Sequence, residues 1–210
     1  MILYKEKPSV IYPVLLSGKQ GSGKSTTADL VVKYLEQENI PVIRYKFAQV
    51  LYEMHDQVLQ VMKAYGIQVP VKDGRLLQLL GTEWGRETYG RDIWVNCALG
   101  KYEAAMAQAP TTGQFKQDYV FLIDDLRFKN ELAAFDFGYR VRLECAKDIR
   151  KARCPAWRDT DDHSSETDLD DSLGLFNEVL DTELLSVDAV AGQIVQGIKD
   201  RYFSGLPDAA

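Results

Sequence analysis

No run of apolar residues in this sequence is long enough to span a bilayer, so no membrane-crossing helix is expected. Cysteine is scarce. Cys97, Cys145 and Cys154 are dispersed and form no Cys-x-x-Cys pair, which excludes a disulfide framework and a thiolate zinc site. Reduced, scattered thiols fit a cytoplasmic location. His55 and His163 are too isolated to suggest a metal centre. An excess of positive charge is also missing. The formal net charge is −6, which argues against a broad surface for a nucleic-acid polymer but leaves room for a local basic pocket. Lys5, Glu6, Lys7 and Pro8 interrupt the first residues, so no secretory signal is expected there. The sequence has no internal repeat, and its one biased stretch is acidic.

What is present is ordinary globular composition. The chain has 210 residues, 46% hydrophobic and 27% charged, enough for one domain with a sizeable core. Residues 10–17 form an apolar run that ends in a glycine-rich turn. Ala28, Leu30, Val31, Val32 and Leu35 then recur at helical spacing until Asn39 and Pro41 end the pattern. Residues 42–47 alternate like a strand, which completes a βαβ unit and implies a parallel sheet. Helices are expected over 49–65, 73–80 and 93–108, the last with Asp92 as N-cap. Residues 119–123 read as a buried strand and 140–145 as another. A helix begins at Asp148 and is interrupted by Pro155, 178–180 is a short strand, and 187–202 is a closing helix. The tail beyond Ser204 is expected to fray. About five strands interleaved with helices give a three-layer α/β fold.

Gly18-Lys19-Gln20-Gly21-Ser22-Gly23-Lys24-Ser25 fits G-x-x-x-x-G-K-[ST] at every fixed position. Glycines let the backbone turn its N–H groups onto phosphate oxygens. The following helix presents its positive end to the same anion. Lys24 is expected to reach the β- and γ-phosphates, and the Ser25 hydroxyl to ligate Mg²⁺. The motif, with a strand before it and a helix after it, predicts binding of a nucleoside triphosphate.

The apolar run ending at Ile123 leads into Asp124 and Asp125. An acid at the carboxyl end of a neighbouring strand completes a Mg²⁺ shell in such folds, although acids there also cap turns. Adjacent strand residues point to opposite faces, so only one of the two is expected to face the metal. Arg127 follows and is placed to neutralise a transferring phosphoryl group; a salt bridge to Glu131 is the alternative. Arg75, Gln78, Thr82 and Arg86 are spaced three, four and four, which is one polar stripe if Gly81 and Gly85 do not break the helix. Two arginines on one stripe suit a monophosphate. Trp84, Tyr89 and Trp94 offer flat surface for a base, or else form the core of a helical hairpin. Arg150 and Arg153 lie one turn apart and are candidates to clamp ATP phosphates. Seven acids between Asp159 and Asp171 read as a polar, mobile loop whose carboxylates face solvent or pair with arginines.

Several strings resemble bacteriophage-type deoxynucleoside monophosphate kinases, a P-loop family of adenylate-kinase-like fold. They are Arg75-Leu-Leu-Gln-Leu-Leu-Gly-Thr-Glu-Trp-Gly-Arg86, Tyr89-Gly-Arg-Asp-Ile-Trp-Val95, Asp125-Leu-Arg-Phe-Lys-Asn-Glu131, His163-Ser-Ser-Glu166 and Phe176-Asn-Glu-Val-Leu180. With the phosphate loop, the resemblance runs in order over residues 15–181.

The resemblance implies a P-loop NTPase core at about 10–48, 115–147 and 176–203. A helical monophosphate-binding region would occupy about 49–110, and a lid about 148–172. It implies transfer of the ATP γ-phosphoryl to a deoxynucleoside monophosphate such as dTMP or dGMP, with Mg²⁺ as cofactor. ATP would meet Gly18, Lys19, Gly21, Ser22, Gly23, Lys24, Ser25, Thr26, Arg150 and Arg153. The acceptor would meet Arg75, Gln78, Gly81, Thr82, Glu83, Arg86 and Trp94. Lys24, Arg127 and Asp125 would carry the chemistry, with Ser25 and Asp125 on the metal, since Asp125 occupies the motif position. His163, Ser165 and Glu166 fall between lid and strand without individual roles. Family members include homodimers. Two other readings share the core: a kinase of another small metabolite, and a nucleotide-gated ATPase acting on a partner protein.

Overall fold

The computed structural model describes residues 9–110, 117–154, 157 and 164–204. His163, Asp159, Asp161, Asp162, Pro155 and the tail beyond Ser204 lie outside them. Five parallel strands form one sheet in the order β2-β3-β1-β4-β5. They are β1 (Ile11–Gly18), β2 (Val42–Tyr45), β3 (Tyr119–Leu126), β4 (Tyr139–Glu144) and β5 (Glu178–Asp181).

Alternation along the strands builds two cores, one on each face. Val14, Leu16, Val120, Leu122, Val141 and Leu143 meet α1 (Lys24–Gln37) and the late helix Val187–Ile198, through Val31, Leu35, Val190 and Ile194. Ile11, Leu15, Phe121 and Ile123 face the other way, onto Phe47, Ala98, Leu132, Phe135 and Leu169. That is the expected three-layer α/β fold. β3 runs on to Leu126, past the expected end at Ile123, and carries both acids with it. The register between β1 and β3 slips between Leu15 and Ser17, where β1 approaches the phosphate loop.

The helices after β2 are α2 (Gln49–Ala64), α3 (Gly74–Gln78), α4 (Glu87–Tyr89) and α5 (Ile93–Gln108). Asp73 caps α3 by accepting from the Arg75 and Leu76 N–H groups. Gly81 and Gly85 do not break the chain's helical path. Leu79–Arg86 is instead a π-helical stretch joining α3 to α4. Gly85 is required there by close packing: a Cβ would stand 2.5 Å from Trp94 Cζ2. Asp92 precedes α5 as expected, but its carboxylate accepts from Asn130 Nδ2 rather than capping the helix.

The later helices are α6 (Lys129–Ala134), α7 (Lys147–Arg153), α8 (Ser164–Thr167) and α9 (Val187–Ile198), which continues as a π-helical turn, Lys199–Phe203. α6 was not expected. Its signal is Glu131, three residues past Phe128, which accepts from the Phe128 N–H at the helix start. The acidic stretch is not a solvated loop over its described part. Glu166 and Leu169 are buried, and Asp168, Asp170 and Asp171 each bond to a lysine, an arginine or a backbone N–H. Among the described residues no helix is long and apolar enough to cross a membrane.

Candidate active site

The phosphate loop joins β1 to α1 at the carboxyl edge of the sheet. Gly21 adopts φ 79°, and a Cβ there would meet the Arg150 carbonyl oxygen at 2.5 Å, so glycine is needed for both conformation and space. The Lys24 ammonium is folded onto the loop itself. It donates to the Gly18 carbonyl and, at 2.9 Å, to the Lys19 carbonyl. Burial, and then the Arg127 charge, pull its pKa down to about 7.

A cleft of about 690 Å³ opens over the loop. Its walls include Gly21, Ser22, Gly23, Lys24, Ser25, Thr26, Arg127 and Arg153. Gly18 and Lys19 support the loop from behind: Lys19 Nζ pairs with Asp170 at 2.6 Å. Arg150 does not line the cleft. Its guanidinium is buried and donates to the Gln20 and Cys145 carbonyls, holding α7 against the loop. Of the two arginines expected to clamp phosphates, Arg153 lines the cleft, and in this conformation it donates to the Thr182 carbonyl at 2.9 Å. Gln20, Thr27 and Cys154 complete the lining, and Thr182, Leu185, Ser186, Val187 and Val190 add a further wall. Sequence reasoning missed them. The available signal was the polar turn that follows β5, because ligands collect at strand carboxyl ends.

A second cleft of about 410 Å³ lies on the other side of β3. Gln78, Gly81, Thr82, Arg86 and Trp94 line it, together with Asp125, Arg127 and Glu131. Arg75 and Glu83 do not. Both are exposed: Arg75 lies in α3 before the π-helical stretch, and Glu83 lies within it beside Thr82. Trp94 is a wall rather than a free stacking surface: it is buried and its Nε1 donates to the Gly81 carbonyl at 3.0 Å. Trp84 and Tyr89 pack edge-to-face on one another at 5.0 Å, exposed and outside the cleft. The Arg86 guanidinium rests over the Phe128 ring at 5.0 Å. Phe47, Ala48, Leu51 and Tyr52 supply an apolar side that the sequence motifs did not mark.

The adjacent acids diverge as strand geometry requires. Asp124 is fully buried between Arg44 and Lys46, on the α1 side. Asp125 faces the second cleft and accepts from the Phe47 and Ala48 N–H groups at 2.8 and 3.2 Å. Burial raises its pKa, and those two bonds oppose the rise. Arg127 does not form a side-chain pair with Glu131. Glu131 accepts instead from the Arg127 backbone N–H at 2.8 Å, and burial together with the Asp125 charge pushes its pKa up to about 8. The Arg127 guanidinium pairs with Glu166. Arg127 lines both clefts, so the two meet at its side chain.

No family model and no curated protein matches the chain. Among solved structures, the chain is similar to the crystal structure of APE1195, at 15% identity and a TM-score of 0.53, over 94% of this chain and 98% of that one. A shikimate kinase from Aquifex aeolicus vf5 matches at 17% identity and a TM-score of 0.46, over 92% and 99% of the two chains. The Mycobacterium tuberculosis APS kinase CysC in complex with AMPPNP and APS matches at 12% and 0.49, over 91% and 99%. At such identities the likeness concerns the fold alone. The chain is a three-layer α/β protein with a five-stranded parallel sheet and a phosphate loop between β1 and α1.

Proposed function

We propose that the protein transfers the γ-phosphoryl group of ATP to a deoxynucleoside monophosphate, giving the diphosphate. The observation that carries this reading is the pair of clefts joined at Arg127. One is built around the phosphate loop. The other, bordered by Gln78, Thr82 and Arg86, has a size and polarity suited to a smaller acceptor. On this reading residues 49–110 hold the acceptor, and the lid expected over 148–172 falls partly outside the described residues.

The chemistry is positioning and charge neutralisation. An ionised monophosphate oxygen attacks in line and needs no protein nucleophile. Lys24 leaves the Gly18 and Lys19 carbonyls for the β- and γ-phosphate oxygens. Arg127 offsets charge at the junction, and Arg86 binds the acceptor phosphate. Mg²⁺ binds with one or two protein oxygens and fills its shell from phosphates and water. Ser25, an exposed hydroxyl in the donor cleft, and the carboxylate of Asp125 are hard oxygen donors of that kind. Among the described residues no group of three or more His, Cys, Asp or Glu is arranged to hold a metal, so such an ion would depend on the nucleotide. Its contribution when bound is to neutralise phosphate charge.

A second reading, a kinase of another small metabolite, draws on one observation. With Arg75 outside the cleft, Arg86 and Arg127 are the only basic residues among the described ones that line it, which also suits a less charged molecule. A coupled assay of ATP consumption across four deoxy- and four ribonucleoside monophosphates separates the two. Turnover with at least one deoxynucleotide is expected; none with any of them would refute the nucleotide reading.

A further inference from the structure

We infer that Glu166 is a positioning residue that locks Arg127 to the phosphate loop, so that the guanidinium presents its open edge to the transferring group. The inference rests on the two-cleft reading above and adds a residue to it.

Glu166 is 7% exposed and sits on α8. Its two oxygens go to different partners. Oε2 accepts from the Gln20 N–H of the phosphate loop at 2.7 Å, and Oε1 accepts from Arg127 Nη1. The same nitrogen also donates to the Ser165 carbonyl at 3.3 Å. One carboxylate thus ties the donor loop to the arginine shared by both clefts. Among the described residues no hydrogen bond is made by Arg127 Nε or Nη2. A guanidinium carries five donors in a rigid fork, so fixing one corner orients the rest.

Glu166 is itself held firmly. Leu169, three residues on, is 2% exposed in the core beneath the second cleft. Asp168 accepts from the Lys129 N–H at 2.7 Å, and Asp170 pairs with Lys19 and Arg142 at 2.6 and 3.1 Å. The segment is thereby fastened to α6, the phosphate loop and β4. An anion beside a phosphate site opposes substrate charge, so its presence there calls for a return. That return is a guanidinium whose rotamer is set before substrate arrives, which lowers the reorganisation required in the transition state.

The test is a double-mutant cycle in the full chain: Glu166→Gln, Arg127→Ala and both together, with Glu166→Asp as the conservative variant. Thermal unfolding checks that each variant is folded; if Glu166→Gln is not, Glu166→Asp takes its place in the cycle. Glu166→Gln is expected to lower kcat by about tenfold or more while KM for ATP and acceptor moves less than about threefold. Glu166→Asp should recover part of the loss, and the double variant should turn over like Arg127→Ala alone. An unchanged kcat in Glu166→Gln, or losses that multiply in the double variant, would overturn the inference. Absence of transfer by the wild-type chain to any monophosphate defeats the functional reading instead. The cycle is then read on ATP hydrolysis, where the same non-additivity supports the coupling and multiplying losses refute it.

Discussion

The donor and acceptor clefts face one another across Arg127, yet they are built in opposite ways. The donor cleft is centred on one contiguous loop, from Gly21 to Thr26 between β1 and α1. The acceptor cleft is assembled from residues on α2, α3, the π-helical stretch, α5, β3, α6 and α8. A backbone site depends on glycines and one lysine. A side-chain site depends on how separate elements pack, so its residues are more widely scattered and more easily misassigned.

The comparison breaks most sharply at Lys24. Lys24→Ala is expected to lower transfer by about 10²-fold or more, because no other cation is buried within the loop. Steady-state kinetics with ATP and the best acceptor measures it, and near-normal transfer would contradict the donor assignment. Arg86→Ala should act on one side only. Its KM for the acceptor should rise about tenfold or more, with ATP affinity unchanged by calorimetry. An equal loss on both sides would erase the distinction between the clefts.

A stability measurement probes the floor of the acceptor cleft. The Glu131 carboxyl is pushed up to about 8 in the folded chain, above its ordinary value in the unfolded one. Between those values the folded chain holds a proton that the unfolded chain has released, so stability falls as pH rises through that window. Glu131→Gln keeps an oxygen for the Arg127 and Phe128 N–H groups but cannot ionise. Its advantage over wild type in urea unfolding should therefore widen from about pH 5 to about pH 8, each pKa unit of offset corresponding to about 1.4 kcal/mol. A gap that stays constant would show that Glu131 does not titrate as inferred. The smallest effects belong to Arg75→Ala and Glu83→Ala, which should leave kcat and both KM values within about threefold of wild type, because neither side chain lines a cleft. A large loss in either would mean that the acceptor site extends further than the second cleft.

The contrast between the clefts also explains what was legible in the sequence. The βαβ unit, the phosphate loop and the strand carrying Asp125 follow from local periodicity and a contiguous motif. Arg86 and Thr82 were found because a spacing of four survives the change from α- to π-helix. Arg75 and Glu83, expected from the resemblance to share that cleft, lie outside its lining, and the close packing of Gly81 on Leu51 and Gly85 on Trp94 that shapes the stretch is tertiary. Arg150 looked like a phosphate clamp from its spacing, but whether a guanidinium faces a ligand or a carbonyl depends on how α7 docks on Gly21. Pairing of the acidic stretch with arginines was one of two expectations, and Glu166 and Asp170 meet it; which partners the stretch takes was hidden because Gln20, Arg127, Lys129 and Arg142 are distant in sequence.

The most direct test of two clefts meeting at one arginine is a single ligand that fills both: adenosine and a deoxynucleoside joined through five phosphates. Binding is measured by calorimetry, with ATP and the deoxynucleoside monophosphate as competitors. The account predicts one such molecule per chain, displaced by either competitor and weakened by Arg127→Ala. Displacement by ATP alone, with the monophosphate without effect, would contradict it.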